Sequence, residues 1–411
     1  MNKLLQSVCA LAMVVLAVCS LVGCGFAERQ VYAKDLTASV KTRSVSSRTT
    51  DQNFRTVYNG FAVRMLNELY EGENTCISPL SIAAAFGMVT NGAKGETKAE
   101  LEALFGADIA TLNAYFAELT SRSVESKELH VANSVWSRNG AVTVEKDFLD
   151  IVKNYYNAQV YTADFDSKTV TDINNWVYNN TRGGIDKIVE SIGRSTVMFL
   201  INALDFEAEW AQKFEQNKIA DRTFYGTQNE STVKMMSAEE YTYIHTTDAS
   251  GFVKAYKGGE YKFAALLPDE SINIADFVGS LTGERIAKAL SDAEQDSVRI
   301  GLPKFEFDSE FDLVSALQKL GVNKAFDIRQ ADFSDMGKCT DGNLFIGSAI
   351  HKTHIAVDEE KTKASAVTSI SMDKAVDSGP SREVILDRPF VYMILDGDDL
   401  PMFIGVVANI G

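Results

Sequence analysis

Residues 359–368 read Glu359-Glu360-Lys361-Thr362-Lys363-Ala364-Ser365-Ala366-Val367-Thr368, and 369–380 continue Ser369-Ile370-Ser371-Met372-Asp373-Lys374-Ala375-Val376-Asp377-Ser378-Gly379-Pro380. Nearly every side chain is small or polar, and no large apolar face forms. By composition alone this is a surface loop. The order of the residues says more. In an extended chain successive side chains point to opposite faces, so Thr362, Ala364, Ala366 and Thr368 share one side while Lys361, Lys363 and Ser365 share the other. The first set is small enough to be enclosed in a crowded sheet, and the second suits water. The loop is patterned as a half-buried strand, a strand in waiting.

Outward from the loop, 391–395 and 402–407 are apolar runs of strand length that close the chain. On the other side, from Trp210 onward, short β-rich runs at 233–236, 241–245, 251–256 and 261–267 are separated by Gly or polar residues. A helical pattern intervenes at 309–320, where Phe311, Val314, Leu317 and Leu320 are spaced for one face. Earlier in the chain helices dominate. Asp51 caps a pattern carried by Phe54, Val57, Phe61, Met65, Leu66 and Leu69. Ser78-Pro79-Leu80-Ser81 opens a second helix, through Val89, whose uniform apolarity predicts burial. Helices are expected at 97–105, 111–120, 144–157 and 170–181, and strands at 129–136, 159–165 and 197–206. No repeat and no linker interrupts 51–411, so these residues are expected to form one α+β domain.

The first residues have a different character. Lys3 precedes an almost unbroken apolar run from Leu4 to Val22, which ends Leu21-Val22-Gly23-Cys24. A basic start, an apolar run and small residues at a cleavage site read as a secretory signal over 1–23. Small residues directly before a cysteine also resemble the bacterial lipobox. That resemblance implies that the Cys24 thiol receives a diacylglycerol, that Cys24 becomes the mature N-terminus, and that the protein is held on the membrane of a bacterial envelope, facing the exterior or the periplasm. The alternative is an uncleaved transmembrane anchor; Gly25 follows at once and no basic stop-transfer cluster is present. Residues 24–50, rich in Ser, Thr and basic side chains and without an apolar face, are expected to be a flexible tether that keeps the domain off the membrane.

The formal charge of −16 argues against a nucleic-acid partner, which needs a basic face. After removal of the signal and use of Cys24, only Cys76 and Cys339 remain. Two cysteines make neither a disulfide framework nor a metal site; their pairing depends on geometry, and both are expected to be free. The histidines are His130, His245, His351 and His354, and no nucleophile elbow, zinc helix or phosphate-binding loop accompanies them. No cofactor and no enzymatic chemistry is expected.

Five motifs in register resemble the serpin family across 51–411: Ile77-Ser78-Pro79-Leu80-Ser81-Ile82; Asn91-Gly92-Ala93-Lys94-Gly95-Glu96-Thr97; Asn202-Ala203-Leu204-Asp205-Phe206 with Trp210 and Phe214; Ile350-His351-Lys352 with Val357-Asp358-Glu359-Glu360; and Leu386-Asp387-Arg388-Pro389-Phe390. The resemblance implies three β-sheets surrounded by eight or nine helices, with a reactive loop at about 359–388. It implies a monomer that acts on serine proteases as bait: the protease cuts the loop, forms an acyl-enzyme, and is carried off as the loop inserts into the principal sheet.

The resemblance also implies roles for single residues. Glu359 matches the root of the loop, and Lys304 takes the place of its partner. Ser78, Ser81, Asn202 and His351 match the polar "shutter" beneath the centre of the sheet. Trp210 matches the aromatic at the "breach", where insertion begins. Glu359 to Thr368 form the hinge. Lys361 departs from the Gly usual in inhibitory members, which implies slower insertion. Counting sixteen residues from Glu359 sets the scissile bond at Ala375–Val376, suited to elastase-like enzymes. Lys374 is the rival and suits trypsin-like enzymes. Met372 suits chymotrypsin-like enzymes but lies close to the hinge. A non-inhibitory member that only binds a partner at the cell surface is the other reading; bulky or Pro-rich hinge residues would mark it, and 362–368 contain none.

Overall fold

The computed structural model describes residues 27–126, 128–183, 185–194, 196–340, 342–362 and 382–411. Its helices start where the sequence supplies caps. Asp51 accepts from the Phe54 N–H to open α1 (Gln52–Leu69), and Ser78 accepts from the Ser81 N–H to open α2 (Pro79–Gly92). Gly106, in the left-handed region at φ 69°, closes α3 (Gly95–Phe105). Asp108 caps α4 (Ile109–Glu125); α5 is Lys146–Tyr156; Asp166 caps α6 (Ser167–Asn180). The later helices are short: α7 (Ile274–Ser280), α8 (Gly283–Ser291) and α9 (Leu313–Lys319). Nine α-helices thus lie among the described residues. Twelve of the fourteen residues of α2 are buried, as its uniform apolarity requires of an interior helix.

The largest sheet is antiparallel, in the order β10 (Tyr243–His245), β11 (Ala249–Ala255), β12 (Lys262–Pro268), β19 (Phe390–Leu395), β20 (Pro401–Val407), β2 (Thr75–Ile77). Apart from the half-buried Lys262, its central strands are buried apolar runs. Gly405 belongs there because a Cβ would stand 2.1 Å from the Thr75 carbonyl oxygen. A second sheet orders β18 (Arg382–Ile385), β13 (Val298–Pro303), β9 (Glu230–Glu240), β8 (Ile219–Tyr225). The third is divided. One part runs β1 (Lys34–Asp35), β5 (Gln159–Ala163), β3 (Leu129–Arg138), β6 (Met198–Phe206); the other pairs β14 (Phe305–Asp312) with β16 (Ile350–Val357). Two small ladders complete the set: β15 (Gly337–Cys339) with β4 (Val142–Val144), and β17 (Lys361–Thr362) with β7 (Ala208–Glu209). The main core lies between α2 and these sheets. A second cluster, with Trp136, Ile173, Trp176 and Ile201, lies between α6 and the β3–β6 face.

Two expectations need correction. Residues 309–312, read as the start of a helix, belong to β14, and the helix begins only after Asp312, which caps it. Phe305, Phe307, Ser309 and Phe311 alternate along the strand, and pairing with β16 over its whole length outweighs a single helical coincidence at Phe311.

The second correction concerns 27–50, read as a free tether. From Arg29 the chain lies along α6 as a strap. The Arg29 N–H donates to Asn179 Oδ1 and its carbonyl accepts from Asn179 Nδ2, both at 2.7 Å. The Gln30 carbonyl accepts from Asn175, and the Tyr32 N–H donates to Asp172. Asp172, Asn175 and Asn179 are spaced three and four apart, so one face of α6 receives the strap's main chain. The chain then adds β1 to the free edge of β5, buries Thr37, and fixes Arg43 to Asp150 and Asn154 on α5. The strap lacks apolar periodicity because main-chain hydrogen bonds, not apolar side chains, supply most of its attachment.

Candidate functional site

The divided sheet leaves a slot. β6 pairs only with β3, and β16 only with β14, so among the described residues no ladder joins their facing edges. Leu200 and Asn202 from β6 and Ile350 and His351 from β16 line one cavity, floored by Ile82 and Phe86 of α2. An unpaired strand edge is a template for another strand.

One end of the slot is occupied. β17 pairs antiparallel with β7, Lys361 opposite Glu209 and Thr362 opposite Ala208. The chain leading into β17 is clamped at three successive carbonyls. Trp210 Nε1 donates to the Asp358 oxygen at 2.8 Å. The Phe214 N–H donates to Glu359 at 3.0 Å, and the Trp210 N–H to Glu360 at 3.3 Å. The Glu359 carboxylate pairs with Lys304 and accepts from Gln216 at 2.5 Å. Burial pushes that carboxyl up, and the bonds from Lys304, its own N–H and Gln216 more than reverse it, holding it below its ordinary value.

Trp210 is buried and stacked on Tyr256 at 4.5 Å, with Phe214 edge-on. Beneath the two rings lies Lys254, 1% exposed, its ammonium 4.6 Å from the Phe214 ring centre and 5.5 Å from that of Trp210. Burial disfavours a charge there, and Glu240 supplies the partner at 2.6 Å.

Beneath the middle of the slot a polar relay crosses from one half-sheet to the other. His351 Nε2 accepts from the Ser78 N–H at 3.0 Å. Ser78 Oγ accepts from the Ser81 N–H at 3.1 Å. Ser81 Oγ donates to Asn202 Oδ1, Asn202 donates to Asn133 Oδ1 at 2.6 Å, and Asn133 donates to the Tyr156 carbonyl at 3.0 Å. The N-terminus of α2 is thus a joint between the half-sheets: Ser78 reaches β16 and Ser81 reaches β6. Such a network is satisfied only while its members stay in place.

Full burial pushes the His351 imidazole down to about 4, so it is neutral with an unprotonated Nε2, as accepting from Ser78 requires. A folded value below the unfolded one, ordinarily 6.5, gives stability that is present at neutral pH and lost as pH falls from about 6.5 toward 4. The full effect is about 3 kcal/mol. Asp396, pushed up to about 6 by burial, works with the opposite sign, so the comparison must be made against a variant. Over pH 7 to 4 the wild type is expected to lose more of its thermal midpoint than His351→Gln. Parallel loss in the two proteins would remove His351 from the account.

Cys76, in β2, ties the same region together from below: its N–H donates to Ser309 Oγ of β14, and its carbonyl accepts from Thr353 Oγ1 of β16. Its thiol is fully buried and pushed up to about 11 by that burial. Cys339 is half-buried, and no disulfide joins it to Cys76.

The structure therefore brings Ser78, Ser81, Asn202 and His351 into one relay and Trp210, Lys304 and Glu359 into one clamp. Lys363, Ala364, Ser365, Ala366, Val367 and Thr368, the bond Ala375–Val376, its rival Lys374, and Cys24 lie outside the described residues. Sequence reasoning missed Asn133, Lys254, Glu240 and Gln216. Asn133 stands directly across the β3–β6 ladder from Asn202, a pairing that only the register reveals. The others reach the site from distant strands and loops.

The profile of the family described as Serpin (serine protease inhibitor) matches residues 56–410. Iripin-5 of Ixodes ricinus is 30% identical over 365 residues, covering 84% of this chain and 91% of that protein. Neuroserpin of Mus musculus is 30% identical over 376 residues, covering 85% and 90%. Among solved structures, the thermophilic serpin tengpin in its native state superposes with a TM-score of 0.87 at 38% identity, covering 92% of this chain and all of that one. Tengpin in its latent state superposes at 0.79, with 35% identity and coverages of 89% and 100%.

Proposed function

The chain belongs to the serpin family, whose members are generally inhibitors of serine proteases, and from that premise we propose that it is a suicide substrate: bait for a protease, not a catalyst. The observation that carries this reading is the occupied end of the slot, where Lys361 and Thr362 already form the first rung of an added strand beside an edge that has no partner among the described residues. Lys361 stands where inhibitory relatives have Gly, yet its backbone takes up that rung, which supports a hinge able to begin insertion without glycine.

The register supports the same reading. Continued without a bulge from Thr362 opposite Ala208, it would set Ala364 opposite Phe206, Ala366 opposite Leu204 and Thr368 opposite Asn202. Directly opposed residues share a face. Asn202 bonds Ser81 of α2, whereas Phe199 and Ile201 pack in the cluster under α6. The small residues would then turn to the core and the lysines to the other face. Continued in this register, the twelve residues 361–372 would match 209–198 along β7 and β6 rung for rung, so a bond after 375 leaves three residues beyond the last rung and one after 372 leaves none.

In the reaction the protease serine attacks the Ala375 carbonyl, the Ala375–Val376 peptide bond breaks, and Val376 leaves as a free amine. Residue 375 remains esterified to the protease while the freed segment enters the slot. The test is incubation with elastase-like and trypsin-like proteases. An SDS-stable complex with the former, and a released fragment beginning at Val376, is the expected result. A fragment beginning at Ala375, with complexes only from trypsin-like enzymes, would move the bait to Lys374. Cleavage without any complex would favour the non-inhibitory, surface-binding reading.

We also propose that Cys24 is acylated and holds the protein on the membrane of a bacterial envelope. Two or more acyl chains give stable anchoring. Cys24→Ser is expected to move the protein from the membrane fraction to the soluble one; retention on the membrane would favour an uncleaved anchor.

A further inference from the structure

The strap changes what an anchor at Cys24 can do. Resting on the reading that Cys24 carries the lipid, we propose that the face built by the strap and α6 is a membrane-apposed surface, held against the bilayer that contains the acyl chains. The position of the first docked residue carries this. Arg29 is held through its own N–H and carbonyl on Asn179, through its guanidinium 3.4 Å over the Tyr178 ring, and through an ion pair with Asp186 at 2.7 Å. Four residues, and so five Cα-to-Cα steps, separate Cys24 from Arg29. At ~3.5 Å each they span at most ~18 Å. A free tether to Asp51 would reach ~90 Å. The leash is therefore short, and it emerges beside the C-terminal turn of α6.

The chemistry of the strap fits an anionic headgroup layer. Its basic residues are Arg29, Lys34, Lys41, Arg43 and Arg48, against Glu28 and Asp35, in a chain whose net charge is −16; Arg29, Arg43 and Arg48 pair with Asp186, Asp150 and Asp51, so Lys34 and Lys41 carry the attraction. Basic side chains near an anionic leaflet are attracted to it within a Debye length, whereas the acidic remainder is repelled. Tyr32 is 82% exposed, an aromatic body with a polar tip of the kind that suits the boundary between headgroups and water. The consequence is a trap that works close to the bilayer and in a restricted orientation, on proteases that come to the same surface.

The experiment uses the full-length protein, acylated in the cell and reconstituted into vesicles of phosphatidylcholine and phosphatidylglycerol. A donor dye is placed at Lys187→Cys, an exposed position beside Asp186, in a Cys339→Ser background; acceptors are on the lipid headgroups. Efficient energy transfer is expected. It should fall about twofold or more when twenty Gly/Ser residues are inserted between Gly25 and Phe26, because a flexible insert of that length adds ~25 Å of root-mean-square reach. It should also fall in Asn175→Leu/Asn179→Leu, which releases the strap from α6. Equal transfer with and without the insert, in protein whose mature N-terminus is shown by mass spectrometry to be acylated, overturns the proposal and leaves the anchoring intact. A mature N-terminus without an acyl group overturns both.

Discussion

A single cut in the loop between 370 and 380 is expected to raise the thermal midpoint by tens of degrees. The slot is already prepared for a strand: the edges of β6 and β16 are unpaired with one another, and β17 has taken the first rung. A freed loop can add roughly a dozen backbone hydrogen bonds, each contributing ~0.5–1.5 kcal/mol net. The total is comparable to the whole stability of an ordinary domain, ~5–15 kcal/mol. At ~2 °C per kcal/mol for a domain of this size, shifts of tens of degrees follow. The uncut loop cannot collect this gain while both of its ends are tied, to β17 on one side and to β18 on the other, so on the proposed mechanism the native state would be held by a barrier. Scanning calorimetry before and after a verified single cut is the measurement. An unchanged midpoint would rule out insertion as the mechanism.

Thr362→Arg is expected to turn the inhibitor into a substrate. The backbone of Thr362 already pairs with Ala208, and on the proposed insertion position 362 would share the core-facing side with Ala364, Ala366 and Thr368. A guanidinium driven into that face without a carboxylate partner costs several kcal/mol. Insertion slows at its first step, and the acyl-enzyme hydrolyses before the protease is displaced. The yield of SDS-stable complex should drop about tenfold or more while the loop is still cut at the wild-type bond; a difference of 1.4 kcal/mol between the competing barriers is already a tenfold change in partition. Undiminished complex formation would show that 362 does not face the core and that the register is shifted by one.

Much of this was legible in residue order. Caps at Asp51 and Ser78 marked the helix starts because a cap is a local hydrogen bond. The alternation in 361–368 is a local reading as well, but residues 363–368 lie outside the described residues. Non-local pairing was harder to read. Phe311 fits a helical stripe with Val314 and Leu317, and only the β16 partner strand makes it a strand residue. The strap has no apolar signature, because its binding sites are amide and carboxylate side chains on α6, some 140 to 150 residues away. Asn133 and Asn202 needed the register of β3 against β6 before they became neighbours. The division of the sheet follows from which edges remain unpaired, a property no single segment carries.

Cys76 gives the molecule a built-in chemical clock. Its backbone joins β2 to Ser309 and Thr353 on the two strands of the smaller half-sheet, so its sulfur can meet solvent only when that junction comes apart. A thiol raised to about 11 and fully covered is doubly protected from alkylation, by ionisation and by access. Cys339, half-buried on a short edge ladder, supplies the reference that ticks first. Maleimide uptake at Cys76, counted by mass against uptake at Cys339, would time the parting of β2 from β14 and β16, with no dye and no substitution.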